Sequence, residues 1–260
     1  MAETESRFHS CTIEDGIATL TIDRPERLNA LHPPAHWQLS QAFDTLAARD
    51  DIRVVIVTGN GRAFCAGYDI KDSLERGTME IPPTGFGGLT NRHDFPHPII
   101  AAVNGPALGG GFEIALACDL IVASSEASFA LPEPRIGWAA LACGVQRLPR
   151  AIGIKRALGI ILTGRTVAAQ EGLQLGFLNA VTAPELLIDE ARKWAAQIAA
   201  CAPLAVRCSR EVAYRSMDMD EAAMLDMANF PNVAALLASE DSREGRTAFI
   251  ERRTPVWSGR

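Results

Sequence analysis

Two short aliphatic runs, 52–58 (IRVVIVT) and 98–103 (PIIAAV), most constrain how this chain of 260 residues can fold. Neither run alternates apolar with polar residues, which is the pattern of a strand buried on both faces. A glycine-containing turn follows each run. Strands of this kind occur in parallel sheets whose two faces are covered by helices, so the sequence predicts an α/β fold.

Three other segments extend the predicted sheet. Residues 11–23 place apolar positions on both sides of Asp15-Gly16, which predicts a hairpin with a tight turn. Two further short strands are expected at 120–124 (LIVAS) and 127–131 (ASFAL). Between the first and second buried strands, residues 72–97 are rich in Gly, Pro and polar groups, and we expect a long mobile loop with one short helix.

Helical patterns make up most of the remaining chain. An amphipathic helix is expected at 37–48, and from about residue 150 the β signal fades except for a short strand near 177–182. The predicted later helices are 153–163, 168–175, 185–200, 203–216, 220–238 and 240–252. The chain is therefore predicted to be α/β first and helical last, with a core over residues 1–200 and a helical region over 201–260.

The charge and hydropathy exclude several classes of protein. A net charge of −6 argues against a general nucleic-acid-binding surface. No apolar run reaches the ~18 residues that a membrane-spanning helix needs, because Glu113 and Asp119 interrupt the longest candidate. We therefore expect neither a nucleic acid nor a membrane as a partner.

The cysteines and histidines favour a cytoplasmic protein without a metal site. None of the six cysteines forms a CxxC pair, and the amino terminus is polar and acidic, unlike a signal peptide. Prolines interrupt both i,i+4 histidine pairs, His32/His36 and His93/His97. We expect neither pair to share a regular helix face, so no zinc site is predicted.

Two glycine-rich turns, 65–67 (CAG) and 108–111 (LGGG), raise the question of what approaches their backbone. Phosphate binding is disfavoured, because 59–64 lacks the third glycine of GxGxxG, 105–111 has the wrong spacing, and neither contains GK[ST]. No GxSxG marks a serine hydrolase. Tight strand–helix packing remains one explanation. The other is an oxyanion site, since free N–H groups at two neighbouring helix N-termini would stabilise a negative oxygen.

Two carboxylates follow these turns. Glu113 is predicted in the first turn of the helix after 108–111, and Glu133 lies between Pro132 and Pro134 just after a predicted strand. Either acid alone is most simply a surface or capping residue. Two acids beside two glycine turns favour a catalytic pair.

The segments that carry these residues resemble the crotonase, or enoyl-CoA hydratase/isomerase, superfamily. They are GRAFCAGYDI (61–70), AAVNGPALGGGFEIALACDLIVASSEASFALPEPRIG (101–137), QRLPRAIG (146–153) and LTGRTVAAQEGLQLGFLNAV (162–181). The resemblance extends from about residue 12 to 255 and is strongest to the carnitinyl-CoA dehydratase-like members. It implies a spiral of ββα repeats, followed by C-terminal helices over 201–260 that assemble homotrimers or dimers of trimers.

The resemblance also implies an acyl-CoA substrate, no cofactor beyond the coenzyme A of that substrate, and a set of site residues. The implied catalytic acids are Glu113 and Glu133, which would hold the water that adds across the α,β double bond. The implied oxyanion donors are the N–H groups of Ala66 and Gly110. The implied coenzyme A and substrate contacts are Arg27, Leu28, Ala66, Gly67, Tyr68, Asp69, Ile70 and Arg252, the last reaching a neighbouring subunit's ligand.

The sequence departs from ordinary short-chain hydratases after the second acid. The segment 137–144 reads GWAALACG, with Leu141 where a glycine is usual and Trp138 adding bulk. Both are expected near the acyl group, although simple core packing also explains them. The predicted activity is a hydro-lyase that interconverts 2-enoyl-CoA and 3-hydroxyacyl-CoA. The alternatives are an enoyl-CoA isomerase and a non-catalytic or RNA-binding homologue.

Overall fold

A computed structural model describes residues 8–77 and 80–260. Its strands are β1 (His9–Glu14), β2 (Ile17–Ile22), β3 (Val54–Gly59), β4 (Ile99–Val103), β5 (Ala107–Leu108), β6 (Leu120–Ser124), β7 (Ser128–Ala130), β8 (Val167–Ala168) and β9 (Ala180–Thr182). Its α-helices are α1 (Pro33–Ala47), α2 (Ile70–Arg76), α3 (Gly110–Ala117), α4 (Gly144–Ile152), α5 (Ile154–Ile161), α6 (Ala169–Leu175), α7 (Leu187–Ala199), α8 (Pro203–Ser216), α9 (Glu221–Leu225), α10 (Pro231–Ala238) and α11 (Glu240–Glu251).

The strands form two sheets, and the predicted α/β class is confirmed. The larger sheet has the order β1-β2-β3-β4-β6-β9, in which only β1 and β2 run antiparallel. The smaller sheet has the order β5-β7-β8. The predicted hairpin is β1–β2, and its turn residues Asp15 and Gly16 both have positive φ, as the two-residue hairpin turn requires.

The two buried runs that predicted a parallel sheet are β3 and β4, and they are neighbours. Every residue of both strands is buried. Val54 and Ile56 pack with residues of α7 on one face, while Val55 and Val57 belong to the core on the other face. Helices therefore cover both sides of the strands, which is why the runs lack polar alternation.

Helix α1 begins four residues before its predicted start, at Pro33. Proline is accepted in a first helical turn, because the N–H it lacks would have had no helical partner. The two prolines therefore start the helix and do not interrupt it, so the reason given for excluding the pair His32 and His36 from a helix was wrong. The His36 N–H donates to His32 O (3.1 Å) across that first turn.

Two other expectations are corrected. The helix expected over 220–238 is divided into α9 and α10, with Pro231 at the first position of α10. The segment 72–97 was expected to be a long mobile loop with one short helix, but in its second half residues 86–90 are buried and pack against α1. Phe86 and Leu89 enter the core there.

No helix within 8–77 and 80–260 is long and apolar enough to cross a membrane. The division at residue 200 stays a prediction.

Asn29 fixes the turn between β2 and α1 against the end of β3. It is fully buried, its Oδ1 accepts from the Arg24 N–H (2.8 Å), and its Nδ2 donates to Asn60 O (2.9 Å) and Ala63 O (2.7 Å). Asn29→Ala is expected to lower the free energy of unfolding by about 3 kcal/mol, because it leaves buried groups unpaired. Urea denaturation measures the change.

The matched control for this substitution is Asn60→Ala. The Asn60 side chain is exposed and donates to the Asp23 carboxylate (2.7 Å). Its loss is expected to change the free energy of unfolding by no more than about 0.5 kcal/mol. Equal losses for the two variants would show that the Asn29 hydrogen bonds do not hold this turn.

Candidate active site

The two glycine turns lie side by side. Cys65 pairs with Ala107 in a parallel bridge, and the Leu108 N–H donates to Cys65 O (3.0 Å). A Cβ on Gly67 would lie 2.7 Å from Leu108 O and 3.3 Å from Gly110 N. The backbones of the two turns are therefore in direct contact, and only glycine fits at position 67.

The second turn leads into α3 with a free donor. Gly109, in a positive-φ conformation, precedes the helix, and its N–H donates to Ala130 O (2.8 Å). The Gly110 N–H donates to no group within the described chain, as expected for the first amide of a helix. A Cβ on Gly110 would overlap the ring of Phe86. The free Gly110 N–H and the positive end of the α3 dipole are thus directed at the same space in front of the helix.

The predicted donor in the first turn is wrong. The Ala66 N–H donates to Leu28 O (2.9 Å) and is not available to a ligand. The next residues pair with Leu31, since Gly67 O accepts from the Leu31 N–H (2.8 Å) and the Asp69 N–H donates to Leu31 O (2.8 Å). Because amides alternate along a paired segment, the Tyr68 amide is directed to the opposite edge, the edge of the second glycine turn.

Glu113 lies in the first turn of α3 and is only 3% exposed. Its Oε1 accepts a hydrogen bond from the Gly144 N–H (2.8 Å), the first amide of α4. The carboxyl therefore lies beside two helix N-termini. Burial raises its pKa to about 7, with a further contribution from the charge of Glu133 and an opposing one from the Gly144 hydrogen bond.

Glu133 begins a 3₁₀ turn (Glu133–Ile136) between Pro132 and Pro134, and it is 8% exposed. Its carboxyl lies against Gly109, where an added Cβ would be 2.6 Å from Oε1. Its Oε2 is buried and has no hydrogen-bond partner in the described part of the chain. Burial raises the pKa of this carboxyl as well. A buried carboxyl with one unpaired oxygen is suited to exchanging a proton with a ligand.

Some residues predicted to contact coenzyme A are exposed, whereas others have partners within the protein. Leu28 follows a 3₁₀ turn (Pro25–Arg27) and meets the first glycine turn through the hydrogen bond from Ala66. Asp69 is buried and its carboxylate pairs with Arg24 (3.2 Å), while it also caps α2. The Asp69 side chain therefore has a structural role. Arg27 and Ile70 are exposed beside these positions.

Trp138 and Leu141 lie on the loop that follows Glu133 and leads to Gly144 at the start of α4. The Trp138 N–H donates to Glu133 O (2.9 Å), and the loop then continues to Gly144, which binds Glu113. Trp138 is 40% exposed and Leu141 is 72% exposed. Core packing, the alternative considered for both residues, is therefore excluded for Leu141.

Arg252 is not joined to this site by any hydrogen bond or ion pair within residues 8–77 and 80–260. It follows the end of α11 with φ 54° and is exposed. Its predicted role in a neighbouring subunit stays a prediction.

The comparisons with known proteins identify the family. The family model described as "Enoyl-CoA hydratase/isomerase" matches residues 12–260. This chain belongs to the enoyl-CoA hydratase/isomerase family. A carnitinyl-CoA dehydratase of Salmonella arizonae is 40% identical over 251 residues, covering 94% of this chain and 95% of the relative. A carnitinyl-CoA dehydratase of Citrobacter koseri is 39% identical with the same coverage.

Solved structures agree with this family. An enoyl-CoA hydratase from Mycobacterium tuberculosis H37Rv has a TM-score of 0.92 and 35% identity, covering 97% of this chain and 99% of that one. An enoyl-CoA hydratase from Bacillus anthracis has a TM-score of 0.89 and 33% identity, covering 98% and 100%. The predicted recognition of the family is confirmed, and the enzyme class follows from it.

Two features of this hydratase-family site were missed from the sequence. The first is the Gly144 N–H, which binds Glu113. Gly144 ends the run 137–144 and begins α4, so a glycine at a helix start was the signal that could have located this donor. Phe86 covers Gly110, although its segment was predicted to be part of a long mobile loop. A phenylalanine flanked by glycines, in TGFGGLT (84–90), is the signal for a buried turn that could have located it.

Proposed function

We propose that the protein catalyses the reversible addition of water to the 2,3 double bond of a 2-enoyl-CoA thioester. The observation that carries the proposal is the pair of buried carboxyls, Glu113 and Glu133, beside the free Gly110 N–H at the start of α3. The names of the relatives, enoyl-CoA hydratase and carnitinyl-CoA dehydratase, support the same reaction in its two directions.

The thioester oxygen is the group that the glycine turns bind. Attack of water at C3 builds enolate charge on this oxygen, and fixed N–H groups stabilise that charge more than they stabilise the substrate. Gly110 supplies one N–H. We assign the second to Tyr68 in place of Ala66, because the Tyr68 amide is directed toward the second glycine turn.

The two acids divide the proton transfers. Glu113 as a carboxylate takes a proton from the water whose oxygen bonds to C3, and Glu133 as a carboxylic acid gives a proton to C2. One proton is taken and one is given, so the product gains the elements of water. Two neighbouring buried carboxyls do not both ionise readily, so one can act as a base while the other keeps its proton.

We further propose the family's spiral of ββα repeats for this fold. Its support is that β4-β5-α3 is one such unit, with β4 in the larger sheet and β5 in the smaller, and that β6 and β7 repeat the division. We also propose a trimer or a dimer of trimers built on the helices of 201–260. Its support is the exposure of Leu225, Leu237, Phe249 and Ile250 on those helices.

The pH dependence of the reaction follows from the pKa of Glu113. Hydration needs Glu113 ionised, and its pKa is raised to about 7, so kcat/KM for crotonyl-CoA should rise with pH up to that value. Well below it, the expected fall is about tenfold for each pH unit. Initial rates over a pH series that spans about two units on each side of the inflection measure this profile.

The matching variant for the pH profile is Glu113→Gln. Its residual activity should lack the rise near neutral pH, because the titrating group is gone. A wild-type profile that is flat across the series would remove Glu113 from the role of base.

An absorbance assay tests the proposed function. Crotonyl-CoA and crotonobetainyl-CoA are each mixed with the purified protein, and the band of the conjugated thioester is followed. The proposal expects the band to decline with at least one of them, since hydration removes the conjugation. A stable band with every enoyl-CoA offered would favour the non-catalytic alternative.

A further inference from the structure

Three aromatic side chains form a continuous wall beside the candidate acids. The Phe86 ring lies against Gly110. The Tyr68 ring centroid is 6.3 Å from that of Phe86, with the planes at 51°, and the Trp138 centroid is 6.4 Å from that of Tyr68, with the planes at 72°. We call Phe86, Tyr68 and Trp138 the aromatic arc. Three separate loops supply its members.

The aromatic arc connects the proposed oxyanion donor with the backbone of one candidate acid. It begins at Gly110, whose amide faces the thioester oxygen, and it ends at Trp138, whose own amide donates to the carbonyl of Glu133. Tyr68 lies between them, directly after the first glycine turn. An acyl chain that extends from Gly110 toward Trp138 would therefore contact these rings.

Part of the aromatic arc is open. Trp138 is 40% exposed although its N–H binds the backbone of Glu133, which is only 8% exposed, and Leu141 on the same loop is 72% exposed. Large apolar side chains that remain exposed around a buried polar site are typical of a surface that a ligand covers.

The charges around the aromatic arc favour a neutral ligand group. Two acids lie close to Tyr68 in the chain, and each forms an ion pair with an arginine. Asp69, the next residue, pairs with Arg24 (3.2 Å), and Asp72 of α2 pairs with Arg76 (2.9 Å). Of the described acids near the Tyr68 hydroxyl, Glu80 remains, and it is exposed to solvent. Apart from Glu113 and Glu133, which the reaction itself uses, a permanent cation on the acyl chain would thus have no unpaired, shielded carboxylate beside these rings.

A histidine behind the aromatic arc adds to this neutral character. His36 is fully buried, with its ring 4.4 Å from Phe86 and 5.8 Å from Tyr68. Its Nδ1 accepts from the Gly87 N–H (3.0 Å), so Nε2 carries the proton of the neutral ring. Burial lowers its pKa to about 3, which keeps the imidazole uncharged. The rings of the wall are therefore uncharged. They meet edge to face or tilted, except that His36 stacks on Tyr68 with the planes at 26°, and a further ring can extend this packing.

We propose that the aromatic arc binds an aryl group on C3 of the acyl chain. The preferred substrate is then a 3-aryl-2-propenoyl-CoA or its 3-hydroxy hydrate. This inference rests on the proposed function for the reaction itself, and adds the class of acyl group.

Binding of saturated, unreactive thioesters tests the inference apart from the chemistry. Isothermal titration compares 3-phenylpropanoyl-CoA, 3-cyclohexylpropanoyl-CoA, butanoyl-CoA and 4-(trimethylammonio)butanoyl-CoA on the full-length protein. The phenyl thioester is expected to bind about tenfold more tightly than the butanoyl thioester and several-fold more tightly than the cyclohexyl one, because a planar ring adds edge-to-face contacts. Tighter binding of the cyclohexyl or trimethylammonio thioester would overturn the inference.

Substitutions of tryptophan locate the effect. Trp138→Ala should reduce the preference for phenyl over butanoyl by about fivefold, and Trp138→Phe should retain most of it. Trp37→Ala is the matched control, because Trp37 is also about half exposed and has no ring contact with the aromatic arc. An equal change of preference in the Trp37 and Trp138 variants would contradict the assignment.

Kinetics separate failure of the inference from failure of the proposed function. If crotonyl-CoA is hydrated but 3-phenylpropenoyl-CoA has a lower kcat/KM, the aryl class is wrong and the hydratase assignment stands. If neither thioester reacts, the proposed function fails. A higher kcat/KM for the phenyl substrate, lost in Trp138→Ala, supports both.

Discussion

Replacing Glu133 by glutamine is expected to lower kcat for hydration of crotonyl-CoA by about 10³-fold, with a small change in KM. Glutamine keeps the shape of the side chain but cannot give a proton to C2. The carboxyl is buried against Gly109 and its Oε2 has no hydrogen-bond partner among the described residues, so this oxygen is available to the substrate. Steady-state kinetics under the same conditions as the wild type measure the loss.

A second measurement assigns the C2 proton to Glu133 and not to Glu113. Butanoyl-CoA has no double bond to hydrate, but its C2 protons exchange with deuterated water if a base reaches them. The Glu133→Gln variant should lose this exchange, while Glu113→Gln should retain it. Glu126→Gln, at an exposed position, is the control. Hydration at the wild-type rate in Glu133→Gln would refute the assignment.

Removing the Gly110 N–H is expected to lower kcat by about 10²- to 10³-fold, the effect of losing one oxyanion donor. A simple substitution would also clash, because any side chain at this position overlaps Phe86. The comparison is therefore made in a Phe86→Ala background. There, Gly110→Ala keeps the amide donor and Gly110→Pro removes it, and proline is accepted at the first position of α3.

The ratio of kcat between these two double variants isolates the donor. Circular dichroism and thermal unfolding check that both are folded to the same extent. Equal kcat values for the alanine and proline variants would show that Gly110 does not donate to the thioester oxygen. A loss confined to KM would mean that the amide binds substrate and transition state equally.

The sequence predicted the parts of the fold that depend on local pattern. The runs at β3 and β4 carry the signature of strands buried on both faces, and Asp15-Gly16 specifies a two-residue hairpin turn. The position of Glu113 in the first turn of α3 follows from three glycines placed directly before an apolar helix. These features need only neighbours in the chain to be interpreted.

The errors concern contacts between distant segments. Whether Ala66 or Tyr68 offers its amide depends on which of them pairs with residues 28–31, and no local pattern encodes that pairing. The turn at Phe86 is buried because it packs against α1, a distant segment of the chain. The composition of residues 72–97 does not reveal this contact and therefore suggested a mobile loop. The start of α1 was misplaced for a different reason, since prolines were taken as interruptions when they occupy a first turn.

Addition of water across the 2,3 bond leaves a product of defined composition, which one measurement can identify. Crotonyl-CoA is incubated with the purified protein in deuterated water, and the product is analysed by mass spectrometry and by fragmentation of the acyl chain. We predict a 3-hydroxybutanoyl thioester that has gained one water and holds one deuterium on C2. A product with no added water, whether its double bond has moved or has only exchanged deuterium, would contradict it.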